Sequence, residues 1–398
     1  MSILNWHIIA DRNLDIKSSI GAYSLNLSSG LSRTGARVHV WHTQEEGSRI
    51  QKSDVPKEVL SHIVPKLWNE DSFQYLQQSF EKISGKNRIL IQYGPNSFGS
   101  VWNRRFAQWI FSRTKHGDEI WIMVHKAQRT PIGFQYSPMN ILQRWLQTQK
   151  LKDLLRRCQF VFVSTPNWLG ELGKKLTCCN SAYLWLPIPS NVSWIENQQR
   201  ALNLRRAFSN GEAMVLGTFG SFTDKHLTKK LKKLVSRLLK NHGDRIWLFL
   251  GRGSEQFVEK MRVEFPSFAQ RIETAGELDL AAISAHIQAC DIMLQPYPQG
   301  VDTSRSSIMV GLSHGKPIVT SYGPKTELVW NNSFVRLTPG EEIDSLVEAT
   351  ENLISDKKSR EKLAVAALEN YKNYFSLSRS IETLVKQKSN LDLPITKH

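Results

Sequence analysis

The chain is built from short apolar runs set between polar loops and longer segments with helical spacing. Leu4 to Ala10, Val38 to His42, Arg88 to Tyr93, Glu119 to Val124, Gln159 to Val163, Ile246 to Leu250, Ile292 to Leu294 and Pro317 to Ser321 are near-continuous apolar runs. Runs of that kind mark strands buried on both faces of a parallel sheet. Met214 to Phe219 opens a second series of them. Between them, Leu25 to Arg33 closes at Gly35 as a helix, Ser72 to Ile83 has helical spacing, and Leu227 to Lys240 keeps Leu227, Leu231, Leu234 and Leu238 on one face. Leu280 to Ala289 and three segments near 344–355, 359–374 and 376–387 complete the predicted helices. Strand, helix and strand recur in two series, which predicts an α/β chain of two Rossmann-like domains. Residues 44–86 read as a variable crossover.

In such sheets the first polar residue after an apolar run lies at the C-terminal strand edge, where ligands bind. That edge selects His125 after Glu119 to Val124. Gly21 stands before the first helix after the first strand, and Gly220 and Gly251-Arg252-Gly253 follow two later strands. One glycine before a helix is equally turn chemistry, and a histidine there is equally a satisfied structural one. The richest stretch runs from Asp291 to Gly323: a strand, a Pro/Gly loop, a helix opening at Ser304 to Ser307, and a strand. Arg305 is placed in the first helical turn, where a cation is electrostatically misplaced unless an anion joins it; a phosphate explains it.

The order of these motifs resembles the nucleotide-sugar-dependent glycosyltransferases of the GT-B type, and within them a bacterial branch of the retaining family 4. The likeness runs over nearly the whole chain. It rests on Thr303-Ser304-Arg305-Ser306-Ser307 against Ser/Thr-x-Arg-x-Ser, and on His314-Gly315-Lys316-Pro317-Ile318-Val319 against His-Gly-x-Pro-Val-Val. Gln92-Tyr93 matches part of Val-Gln-Tyr-Val-Pro, Gly217-Thr218-Phe219-Gly220 matches Gly-x-Phe-Gly, and Gly251-Arg252-Gly253 and Gly276-Glu277-Leu278 match further segments. The resemblance implies two domains facing each other across a cleft: residues 1–190 receiving the acceptor, residues 191–375 binding the nucleotide sugar, and a C-terminal helix (376–398) crossing back to the first. It implies sugar transfer from a nucleoside diphosphate sugar to an acceptor hydroxyl of a glycan, a lipid-linked or a small molecule, with retention. His125, Arg305 and Lys225 become the catalytic candidates, with His226 beside Lys225 as a substitute. Gly21, Tyr23, Gly220, Ser221, Gly251, Arg252, Gly253, Glu277, Asp302, Thr303, Ser304 and Ser306 become the donor-binding ones. The chain departs from the family where Lys126 replaces a glutamate, Ser221 stands at an arginine position, and Asp302 and Val310 stand at two glutamate positions. Arg305 is then the candidate for the charge missing at Ser221.

Composition narrows this picture. The 398 residues carry a net charge of +16, and residues 1–195 hold 24 Lys and Arg against 13 Asp and Glu. A basic first half fits an anionic membrane surface or acceptor as well as a solvated face; no nucleic-acid-binding signature accompanies it, so nucleic acid is not expected. The basic segment 141–157 and the lysines at 229–233 are read chiefly as solvated faces over a core side. No run reaches the ~20 apolar residues of a membrane span, and the opening residues read as a strand, not a targeting segment. Four cysteines lack zinc or disulfide spacing, which points to the cytoplasm, with peripheral membrane contact as an expectation. There is no Asp-x-Asp motif, so no metal is expected, and no cofactor beyond the nucleotide-sugar co-substrate. Two other classes share the architecture: a nucleotide-sugar epimerase, and a catalytically impaired scaffold, which the Lys126, Ser221 and Val310 departures suggest.

Overall fold

The computed structural model describes residues 4–10, 14, 19–43, 55–65, 68, 70–94, 98, 104–125, 149, 151–169, 182–209, 211–276, 278–340 and 342–387. The chain divides into two compact units, Met1–Pro187 with Leu377–His398, and Ile188–Ser376.

The first unit runs β1 (Leu4–Ile9), α1 (Ser19–Ser32), β2 (Arg37–His42), β3 (Val59–Ile63), α2 (Glu70–Glu81), β4 (Lys86–Tyr93), α3 (Arg104–Lys115), β5 (Glu119–Val124), β6 (Phe160–Val163) and β7 (Ala182–Trp185). These strands form one parallel sheet in the order β3-β2-β1-β4-β5-β6-β7. Strand order therefore reverses between β1 and β4. The sheet's N-terminal edge is closed by buried charge: Arg88 lies between the rings of Trp6 and Trp121, 4.9 and 4.2 Å from their centroids, and its Nε donates to Glu119 at 2.6 Å. Deeper in, His7 stacks on His39 and His39 on His62, with Trp41 4.0 Å from the His62 ring. Burial holds His7 at a pKa of about 3 and His39 at about 4, and lowers that of His62, so the stack is neutral.

The second unit runs α4 (Gln198–Ser209), β8 (Met214–Phe219), α5 (Lys225–Leu239), β9 (Arg245–Leu250), α6 (Ser254–Glu264), β10 (Ile272–Gly276), α7 (Leu280–Ala289), β11 (Ile292–Gln295), α8 (Ser306–Ser313), β12 (Ile318–Tyr322), β13 (Arg336–Pro339), α9 (Ile343–Ser355) and α10 (Lys357–Asn370). Its sheet is parallel in the order β10-β9-β8-β11-β12-β13, the same winding as the first, with the reversal between β8 and β11. Helix α11 (Leu377–Lys386) packs on α1 in the first unit. A Cβ on Gly30 of α1 would fall 2.6 Å from the Ile381 side chain, so the glycine sets how near the two helices come.

Several elements differ from the sequence expectation. Helix α1 begins six residues before Leu25, so Gly21 and Tyr23 lie inside it and not in a loop. Ala22 and Tyr23 are buried there, and that burial outweighs the ~1 kcal/mol that glycine costs in a helix. Lys230 is not on a solvated face: it is buried and donates to Ser321 Oγ at 3.0 Å and to the Gly340 carbonyl. Strands β3, β10 and β13 had no counterpart in the apolar runs. All three are outermost in their sheets, and their sequences mix polar and apolar residues because only one side is paired. The helix placed at 359–374 ends at Asn370, followed by a π turn over Tyr371–Phe375. Of the basic segment 141–157, residues 141–148 and 150 lie outside the described residues. In the remainder Leu151, Leu154 and Leu155 are buried while Arg156 and Arg157 are exposed.

Candidate functional site

The second unit's switch between β8 and β11 is lined by glycines whose backbone excludes side chains. Gly220, Gly251 and Gly253 have φ of 151°, 111° and 79°. A Cβ on Gly251 would fall 2.3 Å from the Gly220 carbonyl oxygen. The loops after β8 and β9 are zipped together by Gly220 N–H donating to Leu250 O at 3.0 Å and Phe222 N–H to Arg252 O at 2.9 Å. Ser221 faces its own loop, its hydroxyl 3.1 Å from that of Thr223. Asp224 caps α5 through the N–H groups of His226 and Leu227, which leaves Lys225 and His226 exposed in the first turn. Helices α6 and α8, by contrast, have no side-chain cap from their N-cap residues; in α8 the Tyr297 hydroxyl takes the Ile308 N–H of the first turn.

The β11 to α8 loop is tightly determined. Buried Asp302 accepts from Ser304 N–H at 3.0 Å and from Ser304 Oγ, and meets Arg305 Nε at 3.3 Å. Arg305 is the residue before α8, in an extended conformation, and not in its first turn: the turn over Thr303 and Ser304, closed by Arg305 N–H on Asp302 O, delays the helix until Ser306. Its guanidinium lies 5.1 Å from the Tyr297 ring centroid, and 38% of the side chain is exposed, so donors remain for a ligand. Tyr297 Oη lies 2.7 Å from Ser307 Oγ, and burial pushes the phenol up to about 12, so it stays protonated. Behind the loop, Glu327 accepts from Thr303 N–H at 3.1 Å, from Thr303 Oγ1 at 2.8 Å and from Trp330 Nε1 at 2.9 Å. Burial raises its pKa. Val310 is fully buried in α8, so at that position the helix offers a core contact.

The first unit's edge has a different character. His125 follows β5; its N–H donates to Tyr93 O at 2.9 Å, its carbonyl accepts from Ser164 Oγ at 3.1 Å, and its Nε2 lies 2.8 Å from Gln92 Oε1. The Tyr23 ring meets it edge-on, centroids 5.1 Å apart at 86°. Burial drives the His125 pKa down to about 3, so the imidazole is neutral.

No family model matches the chain, and no curated protein matches it in sequence. Solved structures do. HepE of Anabaena, crystallised with UDP and glucose, aligns over 96% of this chain and 98% of its own with a TM-score of 0.65 at 14% identity. A glycosyltransferase of Rickettsia africae aligns over 97% of both chains with a TM-score of 0.71 at 12% identity. The sucrose-phosphate synthase of Thermosynechococcus elongatus aligns over 96% and 98% with a TM-score of 0.67 at 12% identity. The chain has the GT-B fold.

Within that fold the second unit brings together Gly220, Ser221, Gly251, Arg252 and Gly253, with Asp302, Thr303, Ser304, Arg305 and Ser306 on the neighbouring loop. A Cβ on Gly220 would meet Ser307 at 3.6 Å, which ties the two groups at the sheet edge. The first unit brings Tyr23 to His125, while Gly21 is buried in α1. Glu277 and Lys126 lie outside the described residues. Sequence reasoning missed Glu327, Gln92, Tyr297 and Ser307. Gln92 and Ser307 stood in recognised motifs, which was the available signal; the Glu327 contact joins residues 24 apart and has no local signature. Among the described residues no group of three or more His, Cys, Asp or Glu side chains is placed to hold a metal. No described helix is long and apolar enough to cross a membrane.

Proposed function

We propose that the protein is a glycosyltransferase that moves a sugar from a nucleoside diphosphate sugar to an acceptor hydroxyl, with retention. The observation that carries the reading is the second unit's glycine-lined edge, where the uncapped N-terminus of α6 and the part-exposed guanidinium of Arg305 follow strands of one sheet. Those N–H groups and the guanidinium suit a diphosphate, whose charge grows as the glycosidic bond breaks. Arg305 and Lys225 supply cations, with Arg305 standing in for the arginine absent at Ser221. Gly251 and Gly253 let the nucleotide approach the backbone, Arg252 adds charge at the rim, and Asp302 and Glu327 hold the loop. In this reading no side chain acts as nucleophile: the leaving phosphate takes the acceptor proton, and neutral His125 hydrogen-bonds the sugar. The co-substrate is the nucleotide sugar, and no metal is required. The test is sugar transfer from a panel of nucleoside diphosphate sugars to glycan, lipid-linked and small-molecule acceptors. Transfer that requires Arg305 supports the reading; sugar epimerised without acceptor, or no turnover with any donor, contradicts it.

A specific surface favours peripheral contact of the first unit with anionic membrane. Phe111 is 44% exposed, with Lys115 Nζ 4.5 Å and the Arg157 guanidinium 4.9 Å from its ring centroid. An aromatic between two cations suits an anionic interface. Sedimentation with vesicles of anionic phospholipid should fall on Phe111→Ser; equal binding to neutral vesicles would count against it.

A further inference from the structure

Among the described residues, His125 is held through its backbone and on two sides of its ring. Tyr93 and Ser164 fix its backbone, and the Tyr23 ring stands edge-on to the imidazole. The remaining partner is Gln92, fully buried at the end of β4, whose Oε1 faces Nε2 at 2.8 Å. A carboxamide oxygen only accepts, so Nε2 carries the ring proton. The ring is neutral, so its Nδ1 keeps a lone pair. Among the described residues no group pairs with Nδ1. Keeping the oxygen aimed at His125 has a cost: the Gln92 amide nitrogen is buried without a partner, and so is the Tyr23 hydroxyl. Each such group gives up a hydrogen bond it would make to water in the unfolded chain. A fold that keeps two unsatisfied polar groups around one histidine breaks the local rules where function is expected.

We propose that Gln92 is a positioning residue that locks His125 in the Nε2–H tautomer and so makes Nδ1 a fixed acceptor for a ligand hydroxyl. The geometry stands by itself; its catalytic consequence rests on the glycosyltransferase reading. An imidazole in this state accepts a hydrogen bond from a sugar hydroxyl and does not donate one from Nδ1. Gln92 touches no ligand and acts only through His125.

The test is nitrogen NMR of the full chain labelled at histidine, with His125 assigned by its loss in His125→Asn. Between pH 5 and 8 the expected spectrum has Nε2 protonated and Nδ1 unprotonated. Gln92→Leu should mix the tautomers and lower kcat on the order of 10–100-fold, as removing a histidine-orienting partner does elsewhere. Its thermal stabilisation by nucleoside diphosphate should stay at the wild-type value. Gln92→Glu keeps an acceptor, so it should keep the tautomer while moving the acid limb of the kcat profile to higher pH, because a carboxylate favours the imidazolium. A proton on Nδ1 in the wild type, or wild-type kcat in Gln92→Leu, overturns the proposal. If Gln92→Leu does not fold, the wild-type tautomer decides. A wild-type protein that binds no nucleotide and transfers no sugar defeats the functional reading, and the NMR result still decides the tautomer.

Discussion

The two units share one winding and differ in what stands at the C-terminal strand edge. In the second, glycines at positive φ, the uncapped N-terminus of α6 and Arg305 leave polar backbone and a cation at the edge. In the first, the described residues of the corresponding edge include a neutral histidine, an aromatic ring and a buried carboxamide, and a buried ion pair, Arg88 and Glu119, lies at the opposite edge. Among the described residues the same topology therefore presents a cation and backbone donors in one unit and neutral groups in the other. Topology locates the edge, and side chains decide its chemistry.

Each difference can be broken separately. The largest effect is expected at Arg88: Arg88→Ala leaves Glu119 buried without its cation and should cost about 3–5 kcal/mol of stability by denaturant titration. Nucleotide binding by the second unit should survive it. Arg305→Ala should do the reverse, lowering turnover about 10²–10³-fold with an unchanged melting temperature. Gly251→Ala puts a methyl against the Gly220 carbonyl in a left-handed conformation. The expected cost is roughly 1–3 kcal/mol, together with loss of nucleotide-induced stabilisation. The next lever is pH. His7 and His39 have folded pKa values depressed to about 3 and about 4 from 6.5, so the unfolded chain takes up protons first. Their stability is fully present well above pH 6.5 and falls as pH drops through 6.5 toward 4 for His39 and toward 3 for His7, with a slope of about 1.4 kcal/mol per pH unit for each proton taken up. Proteolysis of the first unit should appear before that of the second as the buffer is acidified. Ser221→Ala is expected to change nucleotide affinity least, by under about 1 kcal/mol, since the hydroxyl faces Thr223.

The central strands were legible because both faces are buried and their sequences are unbroken apolar runs, as at Ile120 to Val124 and Ile246 to Leu250. Outer strands such as β3, Val-Leu-Ser-His-Ile, carry exposed residues and no such signal. Gly220, Gly251 and Arg305 were legible from their place after strands, but the turn that sets Arg305 just before α8 was not. Lys230 looked like its neighbours in a lysine run, and only the tertiary approach of Ser321 and Gly340 distinguishes it. Glu327 and Gln92 act on residues 24 and 33 positions away, beyond any local pattern.

The most direct measurement is hydrogen exchange of the full chain with and without a nucleoside diphosphate. The account predicts slowed exchange in the segments around 220–225, 251–256 and 302–308 of the second unit, with the Gln92 and His125 segments of the first unit unchanged by the nucleoside diphosphate. Protection confined to the first unit, or none with any nucleoside diphosphate, would contradict it.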